Sequence, residues 1–327
     1  MDQKLYLVTG ATGYIGGEIL KQLKVAGKKV RVYVRDTNKV KEKEGVEIFE
    51  GTLSDRAAIK KAMVGVYGVY HIAAVYREAK HPEEYFFEVN AEGTRKIFEE
   101  AISAGAKRVI HCSTGGVLGD ITNPPGNDKT PYAPGDMYQR SKVEAEKIAL
   151  EFYKSGKISG VVIRPAMVYG PRDTRHQKMF KMIARGAFFY VGPGMKDVHF
   201  VNVEDLARAF ILAMERSEVN GEIYSIAGRY PTKLKLAANI IADHLGVKRP
   251  WIHLPVKPLQ WAGVFCETIC KPFGIEPPLH KRRVDFYTKN RNFDVDKPKR
   301  ELGYEATMSV EDEIKYVTDW YKNNSWL

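Results

Sequence analysis

Lys4–Thr9 (KLYLVT) is a short, mostly apolar run of buried-strand type. It leads at once into Gly10-Ala11-Thr12-Gly13-Tyr14-Ile15-Gly16 and then a helical pattern, Glu18–Ala26, stopped by Gly27. Glycines at this spacing allow a tight turn, close backbone approach to a pyrophosphate, and close packing of helix on strand. The phosphates then rest on the free N–H groups of the helix N-terminus. Three glycines alone are weak evidence. Set between the first strand and first helix of a βαβ unit, they predict a dinucleotide site contacted by Gly10, Thr12, Gly13, Tyr14, Ile15 and Gly16.

The rest of the first half keeps the same rhythm. Strand patterns at Val30–Val34, Glu47–Glu50, Val66–Ala73, Arg108–Ser113 and Gly160–Arg164 alternate with helical ones at Arg56–Met63, Thr94–Ala104 and Asp136–Tyr153. Asp136 is the candidate N-cap of the last helix. Such alternation predicts an α/β fold, a Rossmann-type doubly wound parallel sheet with right-handed crossovers. After Gly170 the pattern loosens, broken by Gly192-Pro193-Gly194, Pro255, Pro258, Pro272 and Pro277-Pro278. The expected division is a nucleotide-binding domain over 1–170 and a smaller substrate lobe over 171–327, with some segments returning to the sheet. The later runs look too short for a second independent core.

Composition narrows the function classes. Among 327 residues, 51 Lys+Arg against 40 Asp+Glu give a net charge of +11. The basic residues are scattered, with short runs such as Lys281–Arg283 and no basic arm, so the charge suits anionic small molecules or a basic surface better than nucleic acid. Cys112, Cys266 and Cys270 form neither a disulfide framework nor a CxxC pair, which suits a reducing, cytoplasmic setting. No apolar run reaches the ~18–20 residues of a spanning helix, and the N-terminus has no signal-peptide pattern. His71 and His111 lie in apolar strand contexts and read as packed or hydrogen-bonded strand residues. There is no HExxH and no His/Asp/Glu cluster, so no metal is expected.

The spacing GxxGxxG resembles the short-chain dehydrogenase/reductase superfamily, in its extended branch of epimerases, dehydratases and reductases. The likeness runs along nearly the whole chain: Val69–Ala74, Asn90 with Gly93-Thr94, Cys112-Ser113-Thr114, Tyr138-Gln-Arg-Ser-Lys142, Arg164-Pro165-Ala-Met-Val-Tyr-Gly-Pro171, Phe200–Ala207, and Phe293-Asp-Val-Asp-Lys with Glu301–Tyr304. Tyr138 and Lys142 stand four apart on a predicted helix and share a face. A phenol with a free pKa of ~10 is a poor acid or base at neutral pH, and an ammonium one turn away stabilises its phenolate. The resemblance implies a third catalytic hydroxyl at Thr114, with Ser113 in reserve; a role limited to capping the turn fits Ser113 more naturally. It also implies cofactor contacts from Leu53, Ala73, Ala74, Pro165 and Val168, besides Tyr138 and Lys142.

Cofactor preference is read at the end of the second strand. NAD-binding members of the family place an Asp there; here stands Val34, followed by Arg35. The missing carboxylate and the added guanidinium favour a 2′-phosphate, hence NADP, with Lys39 or Lys41 adding charge. NAD stays open, because Asp36 could turn to the ribose. Thr52 replaces the family's adenine-contacting Asp, while Leu53 can still pack on the ring.

Three departures choose among activities. Gly115-Gly116 follows Thr114 where dehydratases carry an acid, and Met167 stands where nucleotide-sugar epimerases carry Asn. The stretch Leu254–Pro278, with Trp251 before it and Trp261, Phe265 and Phe273 within, looks like the 3β-hydroxysteroid dehydrogenase-like and dihydroflavonol-reductase-like groups. It suits a lid over an apolar substrate or a peripheral membrane patch. The expectation is an NADP(H)-dependent alcohol dehydrogenase/ketone reductase for a largely apolar, steroid- or flavonoid-like small molecule. The alternatives are a nucleotide-sugar 4-epimerase with tightly bound NAD, in which Arg172 could meet a phosphate, and a non-catalytic NADP-sensing subunit. The resemblance also implies a homodimer pairing the helices Thr94–Ala104 and Asp136–Tyr153, with Ala145, Ile148 and Ala149 as apolar positions.

Overall fold

The structure, a computed structural model, describes residues 4–76, 81–270, 284 and 287–327. Expectations placed on Lys271, Pro272, Phe273, Pro277-Pro278 and Lys281–Arg283 lie outside these residues. Seven strands form one sheet: β1 (Leu5–Thr9), β2 (Lys29–Val34), β3 (Val46–Glu50), β4 (Val66–His71), β5 (Arg108–Cys112), β6 (Ser159–Pro165) and a last strand, Ile223–Ile226. Their order is last-β6-β5-β4-β1-β2-β3, and every pairing is parallel. Sheets of this kind are covered on both faces, so their central strands are apolar throughout; all five residues of β1 are buried. The order reverses between β1 and β4, and ligands of open α/β sheets bind at the carboxyl ends beside such a reversal.

Helices close both faces. α1 (Tyr14–Val25) and the helix Val203–Glu215 pack with Val8, Val32, Ile110 and Ile163 on one side. On the other, α2 (Arg56–Met63), α4 (Gly93–Ser103) and α5 (Met137–Lys154) cover Leu7, Val69, Val109 and Val162. The short α3 (Glu83–Phe87) enters α4 through a π-helical turn, Glu88–Glu92. Asp136 caps α5, its carboxylate accepting from the Gln139 N–H at 2.8 Å, as its residue type predicts.

Two expectations are corrected here. The later residues do build a buried cluster of their own: Tyr169, Phe180, Ile183, Tyr190 and Ile241 pack with Ile314, Val317 and Tyr321 of the C-terminal helix Val310–Asn323. The pieces are short, but burial sums over segments far apart in sequence. Second, Ala145, Ile148 and Ala149 are buried inside the protomer itself, and the exposed side of α5 carries Arg140, Lys147, Glu151 and Lys154. Those three apolar positions therefore supply no surface for a partner.

The segment around Trp251, Trp261 and Phe265 sits outward, with these rings 78%, 72% and 68% exposed. Among the described residues no helix is long and apolar enough to cross a membrane.

Glu313 on the C-terminal helix is 2% exposed and its Oε1 has no hydrogen-bond partner among the described residues. Burial pushes its carboxyl from 4.5 up to about 7. The folded state then holds a proton that the unfolded chain releases, so stability falls as pH rises between those two values. Glu313→Gln should match the parent near pH 4.5 and exceed it by about 3 kcal/mol at pH 8, measured by urea unfolding at both pH values.

Candidate active site

At the β1–α1 turn backbone meets backbone. Gly10 has φ +74°, and a Cβ there would lie 2.9 Å from the Ala73 main chain. A Cβ on Gly16 would overlap the Gly10 carbonyl. The turn is closed by Gly13 N–H donating to the Gly10 carbonyl at 2.9 Å. Since α1 starts with no side-chain cap, the first amides of the helix are left for a ligand, and Gly13, Tyr14, Ile15 and Gly16 line the cavity beside them. A cradle of free amides that tolerates no side chain fits a pyrophosphate.

A buried relay fixes the opposite wall. Thr94 Oγ1 donates to the Asn90 carbonyl at 2.6 Å and accepts from His71 Nε2 at 3.0 Å, so His71 Nδ1 accepts from Thr9 at 2.9 Å. Thr9 Oγ1 in turn accepts the Ile72 and Ala73 amides. Burial, with Lys142 nearby, holds the His71 imidazole down to about 3. His111 is fully buried beside it. Both are packed strand residues, as their surroundings predict.

The cavity has a volume of about 1100 Å³. Gly10, Thr12, Gly13, Tyr14, Ile15, Gly16, Arg35, Leu53, Ala73, Ala74, Thr114, Tyr138, Lys142, Pro165 and Val168 all line it. These fifteen residues thus face one space. Residues not singled out complete the lining: Tyr76, Arg175, Lys178, Met179, Phe188, Phe189, Val191, Tyr287 and Arg291. No motif marks them: they come from loops, short strands and short helical pieces scattered along the later half of the chain and around Tyr76.

On α5, Tyr138, Lys142 and Glu146 form one stripe at four-residue spacing. The Tyr138 ring meets Tyr76 edge to face at 4.9 Å. Lys142 is 2% exposed and donates to the Cys112 carbonyl at 2.6 Å; burial lowers its pKa from the ordinary ammonium value. Glu146, missed in the sequence, is fully buried and pairs with Arg164 at 2.5 Å. Burial opposes the Arg164 charge, but its bonds to Glu146 prevail and its pKa is raised. The i+4 step beyond Lys142 was the available signal.

That carboxylate decides between the two hydroxyls. Ser113 is buried and donates to Glu146 at 2.5 Å, so it belongs to the ion-pair network. Thr114 Oγ1 accepts from the Gly116 N–H at 3.2 Å, capping a 3₁₀ turn. The expectation that capping belongs to Ser113 is therefore reversed. Thr114 nevertheless faces the cavity with its own proton uncommitted.

Three further expectations meet the structure differently. Asp36 does not line the cavity: its carboxylate caps Thr37–Lys39 through the Asn38 N–H at 3.0 Å and pairs with Lys39 at 3.4 Å. Neither Lys39 nor Lys41 lines the cavity, whereas Thr52 does. Arg172, at φ +66°, pairs with Glu18 at 3.2 Å and also lies off the cavity. At Gly115 a Cβ would lie 2.6 Å from the Phe293 ring, so an acid cannot follow Thr114 without displacing that ring.

Residues 6–227 match the NAD dependent epimerase/dehydratase family. The chain belongs to that family. Within it the chain is an extended short-chain dehydrogenase/reductase and an NAD(P)-dependent oxidoreductase acting on CH–OH groups. It is 30% identical to sterol demethylase protein B of Methylococcus capsulatus, over 98% of this chain and 99% of that protein. It is 26% identical to a 3β-hydroxysteroid dehydrogenase/Δ5→4-isomerase of Mycobacterium tuberculosis, over 96% and 90%. The crystal structure of gox2253 superposes with a TM-score of 0.82 at 29% identity, covering 99% of this chain and 100% of that one.

In this family member, Glu146→Ala should leave the Arg164 guanidinium buried and unpaired. Breaking a buried pair in this way costs about 3–5 kcal/mol. Thermal unfolding should show a fall of many degrees, and a Tm within one degree of the parent would mean the pair is not holding β6 to α5.

Proposed function

We propose that this oxidoreductase interconverts an alcohol and a ketone on a largely apolar small molecule, with NADP(H) as cofactor. The observation that carries the reading is a single cavity joining an uncapped helix start, the group Thr114–Tyr138–Lys142, and an apolar wall of Met179, Phe188, Phe189 and Val191. The sterol and steroid enzymes among its relatives suit such a wall.

When bound, the nicotinamide dinucleotide supplies or accepts the hydride at the carbonyl carbon. Tyr138 donates its phenolic proton to the carbonyl oxygen in reduction and takes it back in oxidation. Lys142 favours the phenolate electrostatically. Thr114, already accepting from Gly116, donates its own proton to the same substrate oxygen and orients it. Gly10 through Gly16 would hold the pyrophosphate, Leu53 would pack on the adenine, and Ala73, Ala74, Pro165 and Val168 would contact the rest of the cofactor.

Preference for NADP rests on Arg35. It is exposed, lines the cavity and pairs with no carboxylate among the described residues. The commitment of Asp36 to its own turn supports the same choice. The epimerase reading loses its phosphate contact with Arg172 turned to Glu18. For the dimer, the charged outer side of α5 is the face on offer, and light scattering at micromolar concentration decides it. A chain with intact cofactor binding and no turnover of any carbonyl would instead be the non-catalytic subunit.

Tyr138→Phe should lower turnover by ~10²–10⁴-fold while NADPH affinity stays within a few-fold. Unchanged turnover places the acid elsewhere. Arg35→Ala should shift the NADPH/NADH preference by roughly 10- to 100-fold toward NADH, and rising salt should erode NADPH affinity the faster of the two. A parent that prefers NADH, with a ratio indifferent to Arg35→Ala, makes Arg35 a solvated side chain.

A further inference from the structure

The turn Gly10–Gly16 offers amides but no charge, since none of residues 10–17 is Lys or Arg. A diphosphate brings two negative charges. An arginine suits them, because its planar fork of donors meets two phosphate oxygens at once. The fold brings such a cation from the later half of the chain, on the segment that follows Gly170: Arg175 lines the same cavity as the turn.

That segment is docked on the start of α1 at three points. A Cβ on Gly170 would lie 3.1 Å from the Tyr14 hydroxyl. Arg172 pairs with Glu18 at 3.2 Å. The Arg175 guanidinium lies 5.7 Å from the centre of the Tyr14 ring, and Tyr14 is the first residue of α1. The same guanidinium lies 5.6 Å from the Tyr76 ring, which in turn meets the Tyr138 ring at 4.9 Å. Both cation–ring distances are within the ~6 Å at which such pairs attract. Arg175 is thus fixed between the helix start that carries free amides and the phenol assigned the proton, a stretch that a nicotinamide dinucleotide has to span.

The backbone behind it is held from within. Tyr321 donates its hydroxyl to the Asp173 carbonyl at 2.8 Å, and the Asp173 carboxylate accepts the Arg175 N–H at 2.9 Å. Asp173 is 1% exposed and off the cavity. Burial opposes its charge, but the hydrogen bond from His176 and the nearby Arg175 prevail and hold its carboxyl below the usual range. Asp173 reaches Arg175 Nε only at 3.5 Å, which leaves most of the five guanidinium N–H donors uncommitted to it. We propose that Arg175 is a cofactor-binding residue, holding the diphosphate of the dinucleotide together with the α1 amides. The proposal rests on the cleft's being the dinucleotide site. It gives Arg35 and Arg175 different parts of one molecule, the 2′-phosphate and the diphosphate.

The test reads binding on the whole protein: NADPH and NADH by fluorescence, then displacement of NADPH by ADP-ribose, which keeps the diphosphate, and by adenosine 2′-monophosphate, which lacks it. Arg175→Gln should weaken NADPH, NADH and ADP-ribose alike by roughly 10- to 100-fold. The NADPH/NADH preference, which Arg35→Ala shifts, should stay within a few-fold, and adenosine 2′-monophosphate should bind as before. On the parent, whether or not the variant folds, ADP-ribose should shield Arg175 from phenylglyoxal, read by mass spectrometry, and adenosine 2′-monophosphate should not. Unchanged affinities in Arg175→Gln, a loss confined to NADPH, or equal labelling with and without ADP-ribose overturns the proposal. So does a fall in turnover with binding intact, which makes Arg175 a prop for Tyr76. Shielding by UDP-glucose but not by ADP-ribose overturns it as well, giving the cation to a nucleotide substrate. A parent that binds none of NADPH, NADH and ADP-ribose sinks the dinucleotide site itself, and the role of Arg175 with it.

Discussion

Backbone against backbone at the β1–α1 turn is the constraint on which the rest of the molecule depends. Gly16 sits where any Cβ would strike the Gly10 carbonyl, and Gly10 sits where one would strike Ala73. This contact brings the start of α1 directly over the carboxyl ends of β1 and β4, the place where strand order reverses. It also explains why Thr9 is buried and spends its hydroxyl on the Ile72 and Ala73 amides: with the chains so close, loop amides lack room for water and must be satisfied from within. The relay Thr9–His71–Thr94–Asn90 then carries that rigidity to the π-helical turn, where Asn90 Nδ2 donates to Ser141 on α5 at 2.9 Å. The β1–α1 turn and the helix bearing Tyr138 are thereby tied by hydrogen bonds within one frame.

The second organising feature is a division of labour along one stripe of α5. Tyr138 reaches the open cavity, Lys142 is buried against the Cys112 carbonyl, and Glu146 is enclosed with Arg164, Ser113 and Tyr132. Exposure falls stepwise along the helix. A buried ion pair is a weak source of net stability because desolvation offsets most of its Coulomb gain. Its value here is directional: Glu146 accepts from β6 through Arg164 and from the end of β5 through Ser113, so the strand end that carries Thr114 is held at fixed distance from Tyr138. Ser113 serves position and leaves Thr114 to serve the cavity.

This division shows what could be read from the sequence and what could not. The glycine spacing, the alternation of periods and the Tyr138/Lys142 step are local patterns, and each element they predict is present within a few residues. The cap at Asp136 is equally local. By contrast, Ser113 and Thr114 are adjacent hydroxyls with the same local preferences, and only Glu146, a helix away, distinguishes them. Ala145, Ile148 and Ala149 form an apolar stripe whichever way they face; in the fold all three are buried, Ala149 in the cluster that holds Phe98 and Tyr153. Arg172 looked free because Glu18 lies more than 150 positions earlier in the chain. The cluster of Tyr169, Ile241 and Ile314 has no local signature for the same reason, since its burial sums across separate segments.

Electrostatics links the scale of the whole chain to that of the cavity. A surplus of +11 spread over 327 residues says little about any one site, since scattered surface charges are screened within about 10 Å at 0.1 M salt. Charges on the wall of an apolar recess act differently. Low-dielectric surroundings strengthen each interaction, and one sign of charge lining a cleft focuses the field toward the entering ligand. Arg35, Lys142 and Lys178 line the cavity and give its wall a positive potential. The phosphates of a dinucleotide would be drawn in by that potential. Apolar contact alone would allow a sterol-like body to slide along Phe188, Phe189 and Val191, because hydrophobic attraction has no direction. Directional hydrogen bonds remove that freedom: in the proposed reading, those of Tyr138 and Thr114 to one substrate oxygen would bring one carbon, out of many similar ones, into reach.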